Sequence, residues 1–488
     1  MNIKYTRLFI ILIIASILYL FPVLTIDANY VKGSNTLSIQ AYHTAVFFIS
    51  VIACIIAGVM PIGAIGLISI ALFALINPTN VASSKESIKL ALSNINNSTI
   101  WLIVVAYLIA RGFLKTGLGK RIALYMIKIF GKSPIGLAYG LMFSDLIIAP
   151  GTPSNTARCG GIVYPIANSL ARQYESTPEN NPKKLGTYLM SFIGNSNDLT
   201  ANLFVTASSI NLVVIGLAAG ITGHHISWLE WFKAASVPTI IGLILLPFVV
   251  YVLAKPELKK TPLASQYAKE ELIKLGKITK DELILCATMI FLLILWIFGK
   301  SLGVDATTTA LLGLSILLLT KVLSWDDVKK ESSAYDTLIW FAALLMLAAQ
   351  VKNTGFVDYL GFCISSVLKE SLTGVHWSVI LIILNAIFIY IHYFFASGNA
   401  KVLATYSVFL TVAISLNVPP LAAAFMFAFS CHLSCSLTQY THAKAPILYG
   451  SGYVPTATWW KVGFFVSLIN QIIFASAGLL WLKFLGIY

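Results

Sequence analysis

Two short polar segments, each followed by a positive charge, lie within long apolar stretches of this chain. Residues 153–158 read Pro-Ser-Asn-Thr-Ala-Arg, and residues 396–401 read Ala-Ser-Gly-Asn-Ala-Lys. A charge at membrane depth is costly unless it is paired, so Arg158 and Lys401 are candidate functional residues. Two cations beside short hydrogen-bonding side chains predict a pocket for a small dianion, and the dicarboxylates are the obvious class.

The composition places these segments in a membrane protein. Of the 488 residues, 58% are hydrophobic and only 11% are charged, whereas a soluble domain carries roughly 25% charged residues. A membrane-spanning helix needs about 20 apolar residues. Stretches of that length recur throughout, so we predict an all-α polytopic membrane protein with about eleven transmembrane helices and two re-entrant hairpins.

The formal net charge of +14 arises mainly in the loops. Residues 255–280 carry seven lysines against three glutamates, and residues 111–132 are rich in Lys and Arg. Such basic segments beside spans are typical of cytoplasmic loops, and they predict no nucleic-acid surface. We interpret 111–132 as one amphipathic helix at the interface. For the whole chain in the cell (inner) membrane, we predict a cytoplasmic N-terminus and a C-terminus on the outside.

The chain also repeats itself. Ile100 and Trp101 match Ile339 and Trp340, and Thr116-Gly117 matches residues 354–355 at almost the same separation. Each copy then reaches one of the two polar segments. About five spans per copy, an odd number, predicts that the copies face opposite ways in the membrane. Inverted repeats are typical of secondary transporters, whose substrate lies near the midplane where the repeats meet.

Each polar segment is predicted to be the tip of a hairpin, followed by a helix that polar residues interrupt. Pro150, Gly151 and Pro153 break the first hairpin, and the new helix beyond them presents free N–H groups that favour an anion. The interruptions that follow lie at 194–211 and 436–446. Broken helices at membrane depth are tolerated where they line a cavity.

These motifs resemble the divalent anion/sodium symporter family, over nearly the whole chain. Residues 152–158 (Thr-Pro-Ser-Asn-Thr-Ala-Arg) with 160–161 (Gly-Gly) are specific to its branch of citrate, tartrate and 2-oxoglutarate/malate exchangers. The segments 445–446 (Ala-Pro), 450–455 (Gly-Ser-Gly-Tyr-Val-Pro) and 459–463 (Trp-Trp-Lys-Val-Gly) resemble the same branch. The resemblance implies a homodimer in which a transport domain moves against a scaffold domain as an elevator.

The resemblance also implies that residues at the two tips hold the substrate carboxylates. The candidate substrate-binding residues, at the tips and the broken helices, are Ser154, Asn155, Thr156, Ser208, Ser397, Gly398, Asn399, His442 and Ala443. The implied domains, in chain order, are an N-terminal scaffold helix at 1–40, scaffold helices at 41–133, one half of the transport domain at 134–254, a cytoplasmic loop at 255–280, further scaffold helices at 281–370, and the other half of the transport domain at 371–488.

Arg158 and Lys401 stand where a symporter would bind sodium. A tethered cation can neutralise the substrate in place of a soluble one, and an empty site with two unpaired charges would cross the membrane slowly. We therefore expect obligatory exchange without sodium and without a cofactor. The alternative is that both cations form structural pairs with Asp145 or Asp198, which leaves sodium sites intact and predicts a sodium-coupled dicarboxylate symporter.

The sequence departs from the sodium-coupled pattern at several positions. Gly398 and Asn399 stand where the symporters have Asn and Thr, His442 stands where they have Thr, and Lys444 falls where related exchangers tend to have proline. A His-dependent intramembrane enzyme and an ion channel are weaker alternatives, because the histidines lack a metal-ligand spacing and channels rarely need paired broken helices. The six cysteines likewise show no spacing typical of a metal site or a disulfide framework.

Overall fold

The computed structural model describes residues 3–22, 37–371 and 374–488. The part of the predicted N-terminal region at 1–2 and 23–36 lies outside the described residues. The described residues of the first half form twelve helices: α1 (Ile3–Leu20), α2 (Ile39–Ile56), α3 (Ile62–Ile76), α4 (Ser84–Ala91), α5 (Ser98–Thr116), α6 (Leu118–Phe130), α7 (Pro134–Ile148), α8 (Asn155–Arg158), α9 (Tyr164–Gln173), α10 (Gly186–Leu203), α11 (Ser209–Thr222) and α12 (Trp228–Leu253).

The described residues of the second half form twelve more: α13 (Pro262–Leu275), α14 (Lys280–Leu302), α15 (Ala306–Leu319), α16 (Trp325–Lys330), α17 (Ser332–Asn353), α18 (Phe356–Ser371), α19 (Trp377–Tyr390), α20 (Gly398–Ser415), α21 (Pro420–Leu433), α22 (Ala445–Gly450), α23 (Thr456–Ile473) and α24 (Leu479–Phe484). A π-helical turn, Cys159–Val163, joins α8 to α9, and another, Phe474–Gly478, joins α23 to α24.

Eight helical segments within the described residues are long and apolar enough to cross a membrane. Four shorter apolar helices, α3, α11, α15 and α21, lie among them. Many of the long segments expose apolar side chains on their outer faces, as lipid contact requires, and close-packed apolar residues fill the inside. The prediction of an all-α polytopic membrane protein is confirmed.

Local sequence signals set the ends of these helices. Ser227 and Glu230 form a capping box at the start of α12, and Thr279 with Glu282 form another at the start of α14. Gly117 ends α5 with φ +79°, a left-handed conformation that glycine adopts at little cost. The single amphipathic helix predicted for 111–132 is therefore wrong, because Gly117 splits this segment between α5 and α6.

The order of elements confirms that the chain contains a structural repeat. α5 and α17 carry the matching Ile-Trp pairs, and each is followed by a second helix, α6 or α18. Next come a hairpin (α7 to α9, then α19 and α20), a broken helix (α10 and α11, then α21 and α22) and a long helix (α12, then α23). The two copies thus build the same set of elements around one core.

The first hairpin enters and leaves at the same end of the bundle. α7 starts at Pro134, and α9 brings the chain back to Gln173. α13 and the residue before it touch both feet of this hairpin, because Thr261 N donates to Lys132 O at 2.9 Å and Ala264 N donates to Tyr174 Oη at 3.0 Å. The hairpin is therefore re-entrant.

The second hairpin has its feet at the opposite end. The ring of Trp377, at the start of α19, lies 4.9 Å from that of Tyr488 at the C-terminus. α20 returns toward α18, the helix that precedes α19 in the chain. α12 connects the two ends of the bundle. Near its first turn, Lys233 O accepts from Trp481 Nε1 at 2.6 Å, close to the C-terminus, and its last turn precedes α13 at the other end. Feet at opposite ends are what an inverted repeat produces.

Ion pairs connect helices at the end of the bundle that carries α13. Lys115 of α5 donates to Asp327 of α16 at 2.6 Å, and Arg121 of α6 donates to Glu282 of α14 at 2.7 Å. The hydrogen bond from Lys115 holds the pKa of the Asp327 carboxyl below its usual range. These pairs hold α5 and α6 against the helices of the second repeat.

Candidate substrate site

The first hairpin tip begins where Pro150 and Gly151 end α7 in a 3-10 turn. Ser154 caps the next helix, and its hydroxyl accepts from Ala157 N at 3.1 Å. Asn155, in the first helical position, is only 3% exposed, yet neither of its amide atoms has a hydrogen-bond partner. Buried polar atoms are almost always partnered, so this amide is suited to bind a ligand. Thr156, beside it, is partly exposed.

Arg158, one helical turn beyond the tip serine, is fully buried. Its Nε donates to Asp145 Oδ1 at 3.0 Å, and its Nη1 donates to the backbone carbonyls of Thr152 and Ala207. The guanidinium therefore ties the hairpin tip to the break between α10 and α11. The prediction of an unpaired cation at this position is wrong: Arg158 forms a structural pair with Asp145, as the alternative interpretation held.

Asp145 is itself the centre of a network. Besides Arg158, its oxygens accept from Asn197 Nδ2 at 3.0 and 3.1 Å and from the hydroxyl of Thr200. A carboxylate with this many donors is fully satisfied inside the protein. The network fixes α7 to α10 directly behind the tip.

The second tip has the same capping geometry. Ser397 caps α20 and accepts from Ala400 N at 3.4 Å. Gly398 is buried among Ile210, Cys435 and His442, with a space for a Cβ 3.3 to 3.6 Å from each. A Cβ at Gly398 would approach Ile210 closely and would meet Cys435 and His442 at ordinary contact distances. Asn399 next to it is partly exposed.

Lys401 is fully buried one helical turn beyond Ser397. Its Nζ donates to Ser434 Oγ at 2.9 Å and lies 4.0 Å from the ring centre of Phe388. Within 3–22, 37–371 and 374–488, no carboxylate lies within ion-pair distance of this ammonium. Lys401 is therefore without a carboxylate partner among these residues, and its charge-compensating role stays a prediction.

A relay of hydrogen bonds runs on from Lys401. Ser434 lies 2.7 Å from His392 Nδ1, and His392 Nε2 lies 3.1 Å from the carbonyl oxygen of Thr441. Because that carbonyl only accepts, Nε2 carries a proton and donates it. The relay joins the second hairpin to the polar segment after α21, two elements that meet at the site.

The break between α10 and α11 faces both tips. Ser208 caps α11 and accepts from Ile210 N at 3.2 Å. Ser209 N donates to Pro153 O in the first tip at 2.9 Å, while the side chain of Ile210 faces Gly398 in the second. The two tips therefore meet at the start of α11.

The break after α21 holds a buried ion pair that spans the repeats. Lys444 donates to Asp198 of α10, to Gly194 O at 2.6 Å and to Asn197 Oδ1 at 3.4 Å. Ser436 donates to the second oxygen of Asp198. Sequence reasoning singled out Lys444 only as a departure from proline and missed this pair. The sequence signal that could have found this pair is a charged residue within an apolar hairpin or broken helix.

His442 and Ala443 occupy the loop beside the second tip. His442 is half-buried and its ring lies next to Gly398, while Ala443 is exposed. The candidate substrate-binding residues lie in four adjoining segments, at 154–156, 208, 397–399 and 442–443. The four segments supply hydroxyl, amide and backbone N–H donors together with one uncompensated ammonium, a set suited to a carboxylate ligand.

One cluster of potential metal ligands lies behind the site in the described residues. Atoms of Asp198, His432 and Cys435 lie within 4.8 Å of one another. Asp198 already binds Lys444 and Ser436 through its two oxygens, and His432 Nε2 lies 3.0 Å from Asn211 Oδ1. These hydrogen bonds already engage Asp198 and His432 within the protein.

Two cavities flank the region at opposite ends. The larger, of about 870 Å³, opens between α11 and α12 on one side and α5, α14, α15 and α17 on the other, and it reaches Val205 beside the break of α10. The smaller, of about 60 Å³, contains Ser154 and faces Tyr107 and Arg111 of α5. Each cavity thus lies between α5 and residues of the hairpins or broken helices.

An inverted repeat of paired hairpins and broken helices around a buried polar site defines a membrane transporter. The family described as the sodium:sulfate symporter transmembrane region matches residues 2–488. The chain belongs to this family, and its assignment to the divalent anion/sodium symporters is confirmed. It is a transporter and not an enzyme.

The similar proteins are transporters from bacteria and plants. The chain is 41% identical to a putative malate transporter of Bacillus subtilis, over 94% of both chains. It is 38% identical to the chloroplastic dicarboxylate transporter 1 of Spinacia oleracea, over 94% of this chain and 79% of that one. It is 33% identical to the L-tartrate/succinate antiporter of Escherichia coli, over 90% of this chain and 93% of that one.

The fold also resembles that of a solved transporter. The YdaH transporter of Alcanivorax borkumensis superposes with a TM-score of 0.56 over 87% of this chain and 97% of that one. The sequence identity is 11%, so this likeness concerns the fold alone.

Proposed function

We propose that this protein exchanges dicarboxylates across the cell (inner) membrane without sodium. The cargo class is C4 and C5 dicarboxylates such as succinate, malate, fumarate and 2-oxoglutarate, with citrate and tartrate as further members. Similar proteins named as malate, dicarboxylate and tartrate/succinate transporters support this class. Basic loops on the α13 side support a cytoplasmic N-terminus and an outside C-terminus.

The observation that carries the proposal is the occupancy of both cation positions by side chains. The carbonyls of Thr152 and Ala207, behind the first tip, accept from Arg158. Behind the second tip, Lys401 fills the space against Ser434 and Phe388. At the first place Arg158 donates to two backbone carbonyls, and at the second Lys401 donates to the Ser434 hydroxyl, so a tethered cation stands at both.

The substrate lies between the two tips. One carboxylate is bound by Asn155, Thr156 and the N-terminus at Ser154, and the other by Asn399 and the N-terminus at Ser397. The remaining contacts come from the broken-helix segments, through Ser208, Gly398, His442 and Ala443. The unpartnered amide of Asn155 supports this arrangement, because a carboxylate gives its N–H groups an acceptor.

Movement of the hairpins and broken helices as a unit gives alternating access. The transport domain comprises 134–254 and 371–488, and the scaffold comprises 1–40, 41–133 and 281–370, with the loop 255–280 at the cytoplasmic face. Each of the two cavities lies between α5 and the hairpins or broken helices, and this arrangement supports an elevator movement of those elements against α5. Two such chains form the homodimer.

A sodium-coupled symporter is the second candidate. The pair between Arg158 and Asp145 favours it, because a structural arginine leaves the coupling charge to another ion. The two candidates differ in what drives uptake. An exchanger needs a second dicarboxylate on the opposite side of the membrane, whereas a symporter needs a sodium gradient across it.

The test is uptake of labelled succinate into proteoliposomes. The liposomes contain either buffer or unlabelled succinate, and each is assayed in sodium and in choline buffer. Exchange predicts uptake only into preloaded liposomes, at equal rates in both buffers. Uptake into empty liposomes driven by inward sodium would refute exchange and establish the symporter.

A further inference from the structure

The two repeats treat their buried cations differently. Asp145 and Phe388 lie at the same distance along the chain before the tip serines Ser154 and Ser397. In the first repeat this position supplies the carboxylate for Arg158, and in the second it supplies only a ring beneath Lys401. The inverted repeat is thus symmetric in shape and asymmetric in charge.

A count of charges at the site follows from the pairs. Arg158 is balanced by Asp145, and Lys444 is balanced by Asp198. Lys401 is left over as the one full charge without a carboxylate among the described residues that surround the tips.

We infer that Lys401 alone supplies the charge that couples substrate binding to movement, whereas Arg158 and Lys444 are positioning residues held by their own carboxylates. This inference rests on the proposed exchange of dianions. It corrects the symmetric picture in which two cations balance two carboxylates.

The dianion is still matched in this arrangement. A helix N-terminus carries about half an elementary charge. The helical run that starts at Asn155 continues through the π turn to Gln173, and α20 runs unbroken from Gly398 to Ser415. The two N-termini together supply about one positive charge, and Lys401 supplies the second. Without substrate, the ammonium is a buried unpaired charge.

The magnitude follows from the cost of one lysine at membrane depth. That cost is about 2.5 to 3.5 kcal/mol on insertion scales, which corresponds to roughly 100-fold in rate. Removal of the ammonium therefore accelerates the return of the empty carrier about 100-fold. The variant then takes up substrate into liposomes that contain no internal substrate.

The experiment compares two ways of removing the unpaired charge. Lys401→Met deletes the ammonium, and Phe388→Asp gives it a carboxylate at the position that Asp145 occupies in the other repeat. Phe388→Asn creates the same space without a charge and serves as the matched control. The double variant Asp145→Asn/Arg158→Gln removes a balanced pair. The readout is the ratio of labelled succinate uptake into preloaded and into empty liposomes, with folding checked by size-exclusion chromatography.

We expect the ratio to fall toward one in Lys401→Met and in Phe388→Asp. It stays high in Phe388→Asn and in the double variant, even where the absolute rate drops. A high ratio in both charge-removing variants, or a ratio near one in the balanced double variant, overturns this inference and leaves the proposed exchange intact. Uptake by the unaltered carrier into empty liposomes overturns the proposed exchange, and the inference with it.

A second readout uses cargo of lower charge. Succinamate has the length of succinate but one carboxylate, so it suits a site that has lost one positive charge. Excess succinamate should inhibit succinate uptake by Lys401→Met at least tenfold more strongly, relative to the unaltered carrier, a difference of about 1.4 kcal/mol in binding free energy. Equal inhibition of both proteins contradicts the role of Lys401 in charge selection.

Discussion

Replacing Asp145 by Asn should destabilise the protein far more than the loss of one hydrogen bond. Arg158 is fully buried, and Asp145 is the one carboxylate within ion-pair distance of it among the described residues. Removing one partner of a buried ion pair leaves an uncompensated charge and costs about 3 to 5 kcal/mol. The double variant Asp145→Asn/Arg158→Gln removes both charges, so its loss should be smaller than that of the single Asp145 variant.

The assay is equilibrium unfolding in mixed micelles, followed by the fluorescence of the ten tryptophans. Asp326→Asn is the control, because this carboxylate pairs with Lys329 on the surface and is 70% exposed. Its loss should cost less than about 1 kcal/mol. A cost for Asp145→Asn that is no larger than that of the control, or a double variant less stable than the single one, would refute the account of Arg158 as a balanced structural cation.

Four further outcomes test separate parts of the structure. Asn155→Ala should weaken succinate binding by about 1 to 3 kcal/mol, roughly 5- to 150-fold, because a charged ligand loses its amide donor; competition binding measures it, and unchanged affinity argues against this tip. Lys444→Met leaves Asp198 unpaired and should lower stability by about 3 to 5 kcal/mol, with Lys444→Met/Asp198→Asn as the milder double variant. Gly117→Ala, at φ +79°, should lower the free energy of unfolding by about 1 kcal/mol, because alanine is strained in a left-handed conformation, and no loss would contradict this turn geometry. Asp327→Asn should lower stability by a constant amount above about pH 4, since the lowered pKa keeps the carboxylate charged there, and the difference should vanish as the pH falls through that lowered pKa; a difference that instead disappears between pH 7 and 5 would contradict the pair.

Much of this architecture could be predicted from local sequence. Pro150 and Gly151 break a helix wherever they occur, and Ser154 and Ser397 are strong N-caps, so both tips are readable from residue type. The matching Ile-Trp pairs at 100–101 and 339–340 indicate the repeat. Gly117 is also a recognisable helix C-terminal signal. The single helix predicted across it was wrong because that prediction used the charge pattern alone.

The partners of the buried charges are harder to predict. Lys444 and Asp198 are far apart in the chain, and only the packing of α10 against the break after α21 brings them together. Arg158 and Asp145 are close in sequence, yet their pairing depends on the angle at which the hairpin folds back. Pairing of this kind is a property of tertiary geometry, so the sequence leaves several combinations open.

The central claim is exchange without sodium, and trans-stimulated efflux tests it most directly. Liposomes loaded with labelled succinate are diluted into sodium-free buffer, with or without unlabelled succinate outside. The account predicts retention of the label in buffer alone and rapid release once external succinate is present, with no change when sodium is added to either side. Release into substrate-free buffer, or release that requires sodium, would contradict it.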